Sequence, residues 1–112
     1  MSDCLFCKIA EGLIPSDRVY EDQVCVAFRD IDPQAPTHFL VIPKVHIDSC
    51  AQVTADNAAL VGHMFTVIAK VAKQLGLDIY RVVSNCGEQA GQSVPHLHFH
   101  VLGGRDMTWP PG

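Results

Sequence analysis

Near the end of this 112-residue chain, His96-Leu97-His98-Phe99-His100-Val101-Leu102 alternates imidazole with apolar side chain. Side chains of a strand point alternately to opposite faces. A strand here therefore sets His96, His98 and His100 in a row on one face and Leu97, Phe99 and Val101 on the other. Two residues advance roughly 6.5 Å along a strand, so neighbouring imidazoles can act together. The apolar face can anchor the row to a core. Folding alone requires no aligned histidines, and burying each one demands a hydrogen-bond partner.

The remaining pattern is of strands around one long helix. Cys4–Ala10 reads as a short helix with Asp3 as its cap and Gly12 as its stop. Short strands follow at Arg18–Glu21 and Val24–Arg29, joined by a turn over residues 21–23. The loop Asp32-Pro33-Gln34-Ala35-Pro36 is stiffened by two prolines, and His38–Ile42 is a third strand. Thr54 opens the long helix. Its stripe of Leu60, Val61, Met64, Phe65, Ile68, Val71, Ala72 and Leu75 recurs at helical spacing, and Gly76 ends it. Ile79–Ser84 is a fourth strand and Pro95–Leu102 the fifth. This order predicts an α+β fold, a five-stranded antiparallel sheet with one long and one short helix, in a single domain over residues 1–112.

Composition narrows the function. With 48% hydrophobic and 18% charged residues the chain is not disordered. A formal net charge of −4 gives no basic surface for nucleic acid, and no apolar run is long enough to span a membrane. The odd cysteine number, five, and an N-terminus without signal-peptide features point to a reduced, cytoplasmic setting.

Two chemistries suit the histidine row. It could ligate a metal. Alternatively, one imidazole could attack phosphorus covalently while a second stabilises charge or transfers a proton. The preceding loop, Gly87-Glu88-Gln89-Ala90-Gly91-Gln92-Ser93, offers backbone amides and a hydroxyl suited to phosphate oxygens. Cys4 and Cys7, three residues apart, form a separate pair that needs two further ligands for a structural zinc site, and His46 and His96 are available. A redox pair is disfavoured because this CxxC precedes every strand. Cys25, Cys50 and Cys86 read as packing residues.

The chain resembles the histidine triad (HIT) superfamily. The likeness rests on the His-apolar alternation, Cys4-Leu5-Phe6-Cys7-Lys8-Ile9, Phe28-Arg29-Asp30-Ile31, residues 33–44, Gly91-Gln92-Ser93, Gly103-Gly104-Arg105 and Trp109-Pro110-Pro111-Gly112. The ending is similar to the Hint branch, the histidine triad nucleotide-binding proteins. That resemblance implies hydrolysis of purine nucleoside phosphoramidates through a nucleotidyl-histidine. His98 would be the nucleophile and His100 the phosphate partner, with Ser93 near the leaving amine and His38 in the chain that orients the nucleophile. Asp30 would receive the ribose hydroxyls, and Phe6, Ile9, Ile14, Phe28 and Ile31 would enclose the base. Asn85 would lie near the sugar and phosphate, with Gly91 and Gln92 beside Ser93. Similar proteins that keep the cysteine pair bind structural zinc through a set matching Cys4, Cys7, His46 and His96. The resemblance also implies a homodimer built on the long helix and a strand, with Trp109 in a tail docking near the partner's site. The alternatives are a dinucleoside polyphosphate hydrolase, a non-catalytic nucleotide-binding or scaffold protein, and a three-histidine metalloenzyme.

Overall fold

The computed structural model describes residues 3–112. Helix α1 (Leu5–Ala10) is followed by strands β1 (Arg18–Glu21), β2 (Cys25–Arg29) and β3 (Thr37–Pro43), helix α2 (Ala58–Gln74), and strands β4 (Tyr80–Val83) and β5 (Phe99–Gly103). The five strands form one sheet in the order β1-β2-β3-β5-β4, and every neighbouring pair is antiparallel. The α+β expectation is met.

Strand alternation divides the interior. Cys25 and Ala27 of β2, Phe39 and Val41 of β3, and Phe99 and Val101 of β5 point toward α2, where they meet Met64, Val67, Ile68 and Val71. The opposite face carries Val26, Phe28, Leu40 and Ile42, which pack with Phe6, Ile9 and Ala10 of α1. A short helix thus covers only part of that face.

The local expectations shift in instructive ways. Cys4, not Asp3, caps α1: its sulfur accepts the Cys7 amide at 3.2 Å. Thr54 lies before α2 in a turn, where its amide donates to Asn57 Oδ1 at 2.8 Å and the helix begins only at Ala58. Of the helical stripe, Met64, Ile68, Val71 and Ala72 are buried, whereas Phe65 is half exposed and rests on Phe99 at 4.9 Å between ring centroids. Val67, outside that stripe, is buried. The His63 ring ties α2 to the β1–β2 turn by meeting Asp22 Oδ2 at 2.6 Å.

The histidine strand is shorter than its alternation suggests. Strand β3 pairs with β5 from Val41↔Phe99 to Thr37↔Gly103, and β4 pairs with it from His100 onward. His96 and His98 precede those ladders. Their segment is held otherwise, by the Leu97 amide donating to Ile47 O at 2.6 Å and the His96 amide to Val94 O at 2.8 Å. Alternation survives without the ladder, because Leu97 remains in the core beneath α2 while His96 and His98 point to the face of α1.

At the end of β5, Gly104 has φ +94°, and a Cβ there would stand 2.9 Å from Pro36 Cβ. Gly104→Ala should therefore destabilise the chain by about 1–3 kcal/mol, through strain and overpacking together. Urea unfolding checks this; a midpoint equal to that of the parent chain would contradict it.

Candidate active site and metal centre

On the sheet face left open by α1 lies a cavity of about 260 Å³. Leu5, Phe6 and Ile9 come from α1, Phe28 and Leu40 from the sheet, Asp30 and Ile31 from the loop after β2, and Ser93, Val94, His98 and His100 from the β5 side. Apolar walls with a few convergent polar groups are the usual character of a small-molecule site.

Hydrogen-bond partners fix the imidazoles. His98 Nδ1 is 2.7 Å from the His96 carbonyl oxygen. A carbonyl only accepts, so Nδ1 carries the proton and Nε2 of the neutral ring keeps its lone pair. Burial lowers the pKa of His98, which keeps the ring neutral. Phe6 meets His98 edge-on at 5.0 Å and helps fix its plane.

A second chain of bonds sets His100. The Gln34 amide donates to His38 Nδ1 at 3.0 Å, which places the His38 proton on Nε2. That proton is directed at His100 Nδ1, 2.9 Å away. With Nδ1 accepting, neutral His100 carries its proton on Nε2 and can donate to an anionic oxygen in the cavity it lines. Asp30 Oδ2 stands 3.4 Å from His38 Nε2 and 3.7 Å from His100 Nδ1. His38 therefore bonds to His100, while the His96 backbone orients His98.

Burial, with the neighbouring His98 and His38, pushes the His100 pKa down to about 4. Between about pH 6.5 and 4 the unfolded chain holds a proton on this residue that the folded chain lacks, so acid in that window destabilises the fold and higher pH restores it. His100→Gln should lower proton uptake on unfolding at pH 5 by about one. Urea titrations at several pH values would read this, and an unchanged pH slope would contradict it.

Other predicted residues lie at the margin. Ile14 packs against the α1-side core but lines a neighbouring depression with Gly12 and Pro15. Gly91 and Gln92 join Ser93 in a shallow depression beside the cavity. Asn85 is not in the cavity lining; its side-chain amide lies against Gly91, 3.3 Å from where a Cβ would be. Leu5, Leu40 and Val94 were not anticipated. Leu40 had a signal, since it lies two residues beyond His38 and hence on the same strand face.

The second cluster joins α1 to the segments flanking β3 and β5. Cys4 Sγ is 3.2 Å from His96 Nδ1, and Cys7 Sγ is 3.3 Å from His46 Nδ1 and 3.5 Å from His96 Nδ1. All four ligand atoms lie within 4.8 Å of one another. Tetrahedral zinc with ordinary Zn–S and Zn–N bonds separates N and S by about 3.6 Å. The tautomers also fit. His96 Nε2 faces the Pro43 carbonyl at 2.9 Å and His46 Nε2 faces Asp48 Oδ1 at 2.7 Å, which leaves both Nδ1 atoms free to ligate. Burial pushes the Cys7 thiol up to about 11, a shift that a bound cation reverses. These residues can hold a metal ion.

The fold and these two clusters define a small α+β protein with a histidine-lined cavity beside four Cys and His side chains that could hold a metal ion. The HIT domain model matches residues 11–107, and the chain belongs to the HIT domain family. It is 51% identical to an uncharacterized HIT-like protein of Synechococcus elongatus over 98% of this chain and 97% of the relative. Among solved structures, a HIT family hydrolase from Legionella pneumophila matches with a TM-score of 0.95 at 51% identity, covering 98% of this chain and 100% of that one. A histidine triad protein from Clostridium difficile matches with a TM-score of 0.93 at 47% identity, over 96% of each chain.

Proposed function

We propose that this chain, as one HIT domain of the Hint branch, is a hydrolase that cleaves purine nucleoside 5′-phosphoramidates through a nucleotidyl-histidine. The observation that carries the reading is the pair of ring tautomers: an unprotonated Nε2 on His98 beside a protonated Nε2 on His100, both on side chains that line the cavity. One is a nucleophile and the other an oxyanion donor. Their ring centroids are 5.0 Å apart, close enough to share one phosphate.

In this mechanism His98 Nε2 attacks the phosphorus and the P–N bond breaks. The Ser93 hydroxyl donates to the departing nitrogen, which leaves as an amine. His100 Nε2–H holds a non-bridging oxygen as charge grows there, and His38 and Gln34 keep that proton in place. Water then attacks the phosphorus, the P–Nε2 bond breaks, and the nucleoside monophosphate leaves. Phe6, Ile9, Phe28 and Ile31 enclose the flat base, while Asp30 accepts from the ribose hydroxyls. Gly91 and Gln92 shape the loop at the phosphate end, their backbone N–H groups donating to Glu88 O at 3.0 Å and Gly87 O at 3.1 Å, and Asn85 supports that loop through Gly91. Ile14 contributes from behind the base wall.

Zinc on Cys4, Cys7, His46 and His96 is proposed as structural. It would tie α1 to the residue whose carbonyl orients His98, and its four protein ligands leave no place for a reacting water. The proposed assembly is a homodimer with the Trp109 tail reaching the partner's site. Trp109 is 81% exposed on its own chain, with the Arg81 guanidinium 5.9 Å from the ring.

Turnover of an adenosine phosphoramidate and of a diadenosine polyphosphate separates this reading from its enzymatic alternative. We expect kcat/KM to favour the phosphoramidate at least tenfold. A preference for the polyphosphate would overturn the assignment of leaving group, and turnover of neither would favour a binding protein.

A further inference from the structure

Two neutral imidazoles joined by one hydrogen bond have two proton arrangements. Across the 2.9 Å between His38 Nε2 and His100 Nδ1, either ring can be the donor. Only when His38 donates does His100 carry its own proton on Nε2, ready for an anionic oxygen. In the reverse arrangement a lone pair would face that oxygen and repel it. The choice is made outside the pair, by the Gln34 amide that donates to His38 Nδ1 at 3.0 Å. Asp30 Oδ2, 3.4 Å from His38 Nε2, favours the same direction.

The amide selects only as well as its loop is held. Gln34 is exposed and lies outside any strand. Its own side chain bonds within the loop, Nε2 donating to Asp32 O at 3.0 Å. The tie to the rest of the fold comes from Arg105, 71 residues away, whose Nε donates to Gln34 O at 3.0 Å. The same guanidinium donates through Nη1 to Asp106 O at 3.0 Å. A planar fork with both prongs engaged fixes direction as well as distance. Only the Gln34 Cα separates the held carbonyl from the amide that sets the His38 ring. Arg105 does not line the cavity.

We propose that Arg105 is a positioning residue: by pinning the Gln34 carbonyl it sets the direction of the His38–His100 hydrogen bond and keeps the His100 Nε2 proton toward the phosphate. The bonds run in one line, from Arg105 to Gln34, then His38, then His100. The proton direction is independent of the hydrolytic reading, whereas its effect on rate rests on that reading.

The test uses the zinc-loaded full chain labelled with nitrogen-15, in which long-range proton–nitrogen spectra show which ring nitrogen carries the proton. In the parent, His38 and His100 should both show a protonated Nε2 and a bare Nδ1. In Arg105→Ala a measurable fraction should carry the proton on Nδ1. Arg105→Lys keeps the charge and a donor but not the fork, and should restore the parental spectrum in part. Arg81→Ala removes the bond from Arg81 Nη2 to Thr108 O, which does not involve Gln34, and should leave both rings unchanged. Arg105 is exposed and Gly104 still packs on Pro36 of the loop, so the variants should fold. For an adenosine phosphoramidate, Arg105→Ala should lower kcat on the order of tenfold and change KM by less than about twofold. Added to His38→Ala, it should cost nothing further, because both residues act through one line of bonds. Parental tautomers in Arg105→Ala, or an undiminished further loss in the His38→Ala background, would overturn the proposal. Shifted tautomers in Arg105→Ala, with a parent that turns over no phosphoramidate, would uphold the positioning and overturn the hydrolytic reading instead.

Discussion

His98→Ala should lower turnover of an adenosine phosphoramidate by a factor on the order of 10⁴ to 10⁶, the range found when a covalent nucleophile is deleted. The size follows from the route. Without Nε2 the enzyme loses the two-step path, and water must attack the phosphorus directly with only binding and the His100 donor to help. Structure should be largely kept. The substitution removes one ring–carbonyl hydrogen bond and one edge contact with Phe6, a loss of about 1–3 kcal/mol. Circular dichroism, urea unfolding and single-turnover kinetics on the same preparation would separate chemistry from folding. His38→Ala should be milder, since its ring acts through His100. Retention of a tenth or more of parental activity by folded His98→Ala would remove this residue from the role of nucleophile.

Stripping the metal is the second large effect. The purified chain should carry about one zinc, with the four donors giving ligand separations close to a tetrahedral set. At free zinc a thousandfold above Kd, binding stabilises the fold by about 4 kcal/mol. A chelator should accordingly lower Tm by several degrees, and added zinc should restore it. Cys4→Ser loses a ligand and also the cap of α1. His46→Ala is the cleaner variant, because His46 is exposed and bonds only to Cys7 and Asp48 among the described residues. It should reproduce the chelator's effect and become insensitive to zinc. Because the metal is read as structural, brief chelation at low temperature should reduce activity only as far as the fold loosens. A chain that binds no zinc, with a Tm that neither chelator nor His46→Ala changes, would contradict this part of the account.

Much of this was legible in the residues because strand alternation is a strong local rule. His96, His98 and His100 share a face, and Leu97, Phe99 and Val101 fill the opposite core, as the period-two pattern requires. The CxxC pair likewise signalled its partners, since both spare histidines bring a free Nδ1 to it. What escaped depends on contacts distant in sequence. The ladder of β5 begins only at Phe99: β4 stops at Val83 opposite His100, and the last two residues of β3, Ile42 and Pro43, pair with β2 but not with β5, which no local pattern reveals. The bond from His38 to His100 joins residues 62 apart in sequence, and the backbone hold on His98 comes from a carbonyl, which carries no residue-type signal. The cap of α1 is hidden for another reason: thiols are rare caps, and Asp3 has the better propensity, yet Cys4 holds the position.

The three histidines end with three surroundings. His96 turns to the cysteines, His98 is held by a carbonyl, and His100 terminates a relay through His38. The central claim is that His98 forms a bond to phosphorus before water does. The most direct measurement is the stereochemical course of hydrolysis of a nucleoside phosphorothioamidate of known configuration, run in isotopically labelled water. Two successive in-line displacements predict overall retention at phosphorus. Inversion would mean a single displacement by water, and the nucleotidyl-histidine would be ruled out.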